Sequence, residues 1–277
     1  MSPDEYCQQK AAQSGSSFYY SFLFLPPPRR RAITALYAFC REVDDIVDDC
    51  TDTGVARTKL AWWRQEVAAM LDNKPSHPVT MALQPHVKVY QLDGAQLLAI
   101  IDGMEMDLDQ TRYLDYVGLQ RYCWHVAGVV GILSASIFGY SDPQTLRYAE
   151  QLGLAFQLTN IIRDVGEDAR IGRIYLPANE LQQFGITAAD LLNARHSERF
   201  EALMAFQVER AQRAYDEAFA LLPAADHRAQ RPGLIMAAIY RALLGEIERD
   251  HYRVLQQRIS LTPIRKLWLA WRTYVRG

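Results

Sequence analysis

Cysteine is scarce in this chain, and the four that occur, Cys7, Cys40, Cys50 and Cys123, are scattered without CxxC spacing. That pattern argues against a zinc site and gives no basis for a disulfide framework, so a reducing cytoplasm is the expected location. Long apolar runs are lacking as well. The greasiest early stretch, Phe18 to Leu25, spans eight residues and runs into PPPRRR, too short for a bilayer span and flanked wrongly for a signal peptide. The six histidines form no HxxxH or HExxH pair, and none is assigned as a ligand. Neither sign of charge prevails: 30 basic and 32 acidic residues leave a net charge of −2, so no nucleic-acid partner is expected from bulk charge. Alternating β-branched runs, internal repeats, low-complexity tracts and a GxGxxG nucleotide fingerprint are all missing.

What remains is a chain of 277 residues, 49% hydrophobic and 11% aromatic, ample for a sizeable core. Successive segments with helical apolar periodicity are punctuated by glycine and proline, which makes the expected fold all-α and residues 1–277 one domain. The periodicity predicts helices over Arg29 to Cys50, Gly54 to Asn73, Val79 to Val89, Gly94 to Asp107, Leu114 to Phe138, Pro143 to Asp168, Ser197 to Leu222, Pro232 to Gln257 and Thr262 to Val275. Asp142 followed by Pro143 reads as an N-cap with proline at the first helical position. The interval from Arg170 to Leu192 carries Gly172, Pro177 and Gly185 and reads as a loop or flap, the place for a mobile lid.

Two acidic pairs stand out. Asp44 with Asp48, and Asp164 with Asp168, each sit four residues apart inside helical sequence, which puts both carboxylates of a pair on one face, one turn apart. Like charges so placed destabilise a helix, and both pairs fall in C-terminal halves, where carboxylates oppose the macrodipole. A single DxxxD is usually a solvated surface feature; two of them among apolar neighbours call for a bound cation. Gln157, Asn160, Asp164 and Asp168 share one face of the second helix, and Tyr37, Arg41, Asp44 and Asp48 form a matching stripe on the first. Magnesium takes one or two protein carboxylates and fills its octahedron with water and phosphate oxygens, so facing pairs would clamp a diphosphate. Arg41 and Arg163 beside the pairs would neutralise further phosphate charge, and Arg173 and Tyr175 in the following loop would close over it.

Aromatic residues are plentiful, and most of them belong to a core; an aromatic cavity would also accept isoprenoid tails, with Tyr37 best placed to face a departing diphosphate. The small residues of YCWHVAGVVG, Tyr122 to Gly131, fit either close helix approach or room for a ligand tail. No acidic residue follows Asp250, while Arg265, Lys266, Arg272 and Arg276 accompany Leu267, Trp268, Leu269 and Trp271. This basic, amphipathic tail reads two ways: a capping helix docked on the domain, which is slightly favoured, or a peripheral contact with the inner face of an anionic membrane.

The two acidic motifs carry a resemblance. YAFCREVDDIVDD, from Tyr37, and NIIRDVGEDARIGRIYLP, from Asn160, are similar to the first and second aspartate motifs of the squalene/phytoene synthase family, and the likeness extends over nearly the whole chain. It implies the all-α isoprenoid synthase fold, a helical bundle around a central cavity. It further implies Asp44, Asp48, Asp164 and Asp168 as magnesium ligands with Asn160, manganese being a substitute metal. Tyr37 and Arg41 would take part in the chemistry, and Ser17, Phe18, Tyr122, Gln157, Arg163, Arg173, Tyr240 and Arg258 in substrate binding. The opening SGSSFYYSFLFLP resembles the hopanoid-associated bacterial branch, which makes presqualene diphosphate from two farnesyl diphosphates; Ser14 and Ser16 stand where carotenoid-forming relatives often have His and Lys. The implied reaction is therefore head-to-head condensation of two farnesyl diphosphates, with no NADPH needed for this half-reaction. The alternatives are a phytoene or dehydrosqualene synthase and, in another class, a non-catalytic assembly-factor-like relative.

Overall fold

The computed structural model describes residues 1–13, 18–22 and 24–276, and the described residues form helices and connecting turns, with one isolated bridge between Arg112 and Ile174. Two helices precede the first acidic one: α1 (Pro3–Gln13) and α2 (Phe18–Phe22). Then come α3 (Pro27–Asp49), α4 (Thr53–Leu71), α5 (Pro78–Val89) and α6 (Gly94–Asp109). The next run, α7 (Tyr116–Cys123) and α8 (Val129–Phe138), is joined by a π-helical turn at Trp124–Gly128. The second acidic helix is α9 (Gln144–Arg170), followed by α10 (Ala178–Gln183), α11 (Ala188–Leu192), α12 (Glu198–Leu221), α13 (Arg231–Arg249) and α14 (Pro263–Arg276).

Local chemistry explains the starts. Proline opens α3 and α5, where a missing N–H costs nothing. Asp52, Asp93, Asp115 and Ser197 each accept a first-turn N–H as N-caps. Asp142 accepts the Gln144 N–H at 2.8 Å, which anchors the start of α9 one residue later than the sequence suggests. The far end of α13 departs more: the helix stops at Arg249, and His251 and Tyr252 turn the chain in the left-handed region. That reversal seats Val254 and Leu255 against α9 at Gly166, whose added Cβ would lie 2.5 Å from the Val254 carbonyl oxygen.

Residues 170–192 are not the loose flap expected from their glycines. They hold α10 and α11, and Ile174, Leu176, Leu181, Ile186 and Leu191 are buried. The run Tyr116–Phe138 is the one described helix long and apolar enough to cross a membrane, and half of it is buried inside the protein. It packs on α9 at very short range: Cβ atoms added to Gly131 and Gly153 would sit 2.1 and 2.3 Å from the carbonyl oxygens of Ala149 and Ala127.

Two hydrophobic clusters organise the packing. One gathers α3 to α6 with α8, and the other gathers α9, α12 and α13 with the buried part of the 170–192 segment. A cavity of about 460 Å³ lies between them, with Phe22, Ile100 and Met104 on one side and Leu152, Met236 and Tyr240 on the other.

Candidate active site

The polar end of that cavity is built by the two stripes. On α3, steps of four, three and four carry Tyr37, Arg41, Asp44 and Asp48 along one face, and the first three line the cavity. On α9 steps of three, four and four carry Gln157, Asn160, Asp164 and Asp168, with Gln157, Asn160 and the adjoining Arg163 lining the cavity, whereas Asp48, Asp164, Asp168 and Arg173 lie outside its wall. Phe18, Tyr122, Tyr240 and Arg258 complete the expected residues found around the one cavity. Ser17 lies outside the described residues, as do Ser14 and Ser16.

Arginines hold the carboxylates. Arg41 donates to Asp44 at 2.6 Å and also bonds Asp45. Arg163 donates its Nε to Asp164 at 2.7 Å, and Arg258 lies 3.4 Å from the same carboxylate and 3.1 Å from Glu167. Just past α9, Arg173 crosses to α3, donating to Asp48 at 2.9 Å and to the Val47 carbonyl at 3.1 Å. This last contact ties the two acidic helices together. Asp48 is nevertheless exposed, its side chain 45% accessible, so the stripe is enclosed only in part.

The charges act on one another across the gap. Asp168 is pushed up to about 8 by burial, by Asp164 on its own helix, and more weakly by Asp107 and by Asp48 on α3. Asp44 is pushed up to about 7 by burial and by Asp48, with Arg41 opposing. Asn160 donates to Gln157 at 3.3 Å, while its buried Oδ1 has no partner. A buried acceptor left unpaired and acids raised by crowding are what a cation would relieve. Among the described residues no three His, Cys, Asp or Glu side chains converge as a metal cluster. Any ion here would therefore draw ligands from water and substrate, which suits the habit of magnesium.

Tyr175 does not cover this site as expected. It is buried, stacks on Tyr122 and donates to Asp107 at 2.9 Å; Tyr122 lines the cavity with its ring but donates its hydroxyl to the same carboxylate at 2.8 Å. Asp107, buried on α6 and pushed up to about 6 chiefly by burial, was missed in the sequence, as was the place of Lys266 in the cavity wall. The YCWHVAGVVG run serves both uses left open: Val126, Ala127, Val130 and Gly131 line the cavity, and the glycine admits α9.

This geometry has a known counterpart. The profile of the squalene/phytoene synthase family matches residues 11–265. The chain belongs to the squalene/phytoene synthase family. The phytoene synthase of Arthrospira platensis is 37% identical over 276 residues, covering 95% of this chain and 89% of that one. The 15-cis-phytoene synthase of Synechococcus elongatus is 36% identical, with coverage of 95% and 89%. Among solved structures, a dehydrosqualene synthase in complex with ligand superposes with a TM-score of 0.88 at 28% identity, covering 99% of this chain and 96% of that one. The squalene synthase HpnC from Alicyclobacillus acidocaldarius gives 0.82 at 29% identity, with coverage of 90% and 94%. The all-α isoprenoid synthase fold is thus shared. Members of the family are prenyltransferases that bind prenyl diphosphates and generally depend on a divalent metal.

Proposed function

We propose that this chain joins two prenyl diphosphates head to head, releasing one diphosphate and leaving a cyclopropylcarbinyl diphosphate. The observation that carries the reading is the pairing of Asp48 on α3 with Arg173 beyond Asp168 on α9, which links the two acidic helices beside an apolar cavity whose wall includes Asp44, Asn160 and Arg163. Asp44, Asp48, Asp164, Asp168 and Asn160 would hold magnesium, which when bound supplies positive charge to a departing diphosphate. Arg41, Arg163 and Arg258 would bind diphosphate oxygens at the cavity wall, exchanging their present carboxylate partners for phosphate. Phe18 and Tyr37 stack with ring centroids 5.5 Å apart, and Phe156 meets Tyr240 at 5.2 Å. Such ring faces stabilise an allylic cation once the C1–O bond breaks, and the apolar walls keep out the water that would quench it. The second substrate's double bond then attacks, and proton loss to the released diphosphate closes the cyclopropane.

For the prenyl length, the curated relatives named above favour geranylgeranyl diphosphate, with the cyclopropylcarbinyl diphosphate then losing its own diphosphate, rearranging and shedding a proton to give phytoene, over the farnesyl route that stops at presqualene diphosphate. The second reading rests on the opening segment with Ser14 and Ser16 and on the structural likeness to solved dehydrosqualene and squalene synthases. A non-catalytic role gains nothing from a site that keeps all four aspartates. The test is incubation of purified protein with magnesium and each prenyl diphosphate, the product being identified by mass. A forty-carbon product from geranylgeranyl diphosphate supports the first reading, and a thirty-carbon product from farnesyl diphosphate the second. No coupled product from either overturns the head-to-head assignment. NADPH should leave the product unchanged; squalene formed only in its presence would show that reduction follows on the same chain.

A further inference from the structure

The final helix is two-faced in an unusual way. Its inner side docks on the domain: Ala270 is fully buried, Lys266 reaches the cavity and lies over the Tyr20 ring, and Tyr274 stacks on Phe24 at 4.5 Å. The capping role slightly favoured in the sequence is thereby observed. Its outer side carries Ile264, Leu267, Trp268, Trp271 and Val275, successive steps of three, one, three and four that fall on one stripe. All five are between 46% and 81% exposed. Isolated exposed apolar residues need no explanation, but a contiguous strip with two tryptophans marks a contact surface.

The charge around the strip selects the occupant. From His251 to Gly277 the chain has six arginines and lysines and no acidic residue, four of the six on α14 itself. Arg272 lies over the Trp268 ring at 5.1 Å, placing a cation at the margin of the apolar stripe. A second copy of the chain meeting this face about a two-fold axis would set basic helix against basic helix. An anionic lipid surface is complementary to both the stripe and its rim, the arrangement of a helix that lies in the interface plane. We propose that the outer face of α14 docks this protein on anionic membrane, with the polar end of the cavity held beside the lipid. The docking stands on the helix alone. Its use, passing lipid-like substrate and product between cavity and bilayer, rests on the proposed function.

Flotation with phosphatidylcholine vesicles, with and without phosphatidylglycerol, tests the docking directly. Wild-type protein should float with the anionic vesicles, release at high salt, and show a blue-shifted tryptophan emission when bound. The double variant Trp268→Ser, Trp271→Ser should bind at least about tenfold more weakly. Its turnover of detergent-dispersed prenyl diphosphate should match wild type, because neither side chain reaches the cavity. Failure of wild-type protein to float, or equal flotation of the variant, overturns the proposal. So does a light-scattering mass showing a dimer that the same substitutions dissociate. Flotation without turnover would sustain the docking and count against the proposed reaction, so the two fail separately.

Discussion

Glu66 and Asp226 are buried carboxylates, 5% and 2% exposed, yet both remain strong acids. Glu66 accepts from the N–H and hydroxyl of Ser76, the N–H of His77 and the Thr80 hydroxyl; Asp226 accepts from Ser141, Asp142 and Thr145. Desolvation is outweighed by these donors, and both are held down at about 2. Among the described residues Asp44 accepts from Arg41 alone and Asp168 has no comparable set of donors, and both are pushed the other way. The contrast separates acids that hold the fold from acids that await a cation. For Glu66 the folded value lies below the unfolded 4.5, so its contribution is complete above that pH and is lost as pH falls toward 2. In urea titrations the stability gap between wild type and Glu66→Gln should shrink by about 2 kcal/mol between pH 7 and pH 3. A gap independent of pH would contradict this. Asp164→Asn should instead lower kcat at least about 100-fold with the helical circular dichroism retained. A variant with near-normal kcat would remove Asp164 from the site.

Among the helices, the close approach of α8 to α9 fixes where the acidic stripe sits relative to the cavity wall. Gly153→Ala forces a methyl onto a backbone oxygen that cannot swing aside, so it should cost about 3 kcal/mol of stability, read as a lowered denaturant midpoint at unchanged slope. An unchanged midpoint would mean that the two helices separate freely. The long helices were legible because 3.6-residue periodicity, proline starts and Asp or Ser caps agree over many turns, as in α3, α4 and α12. The premature end of α13 was not legible, since nothing in ERDHYRVLQQ besides its later packing on α9 makes His251 and Tyr252 turn left-handed. The 170–192 segment misled for a related reason: its glycines mark turns, but burial of Ile174 and Leu181 comes from the neighbouring helices.

In the whole molecule, two cores enclose one cavity, and the site forms only where α3 and α9 are brought together by that packing. The four aspartates, Asn160 and the arginines beside them could be read from spacing, because their chemistry is written along single helix faces. Asp107 could not: in EMDLD it is flanked by Glu105 and Asp109, which pair with Arg57 in the open, and only the fold turns the middle acid inward to Tyr122 and Tyr175. Tyr122→Phe removes one of those donors and should lower turnover with little change in the identity of the product. A new product mass would mean that the ring, rather than the hydroxyl, had been disturbed. The central claim is that Asp48 and Asp168, on different helices, serve one magnesium-diphosphate site. A double-mutant cycle with Asp48→Asn and Asp168→Asn, read as magnesium-dependent release of diphosphate, tests it most directly. Each single variant should lose at least about 100-fold, and the double should be little worse than the poorer single. Losses that multiply as if the sites were independent, or a single variant that keeps the wild-type rate, would contradict it.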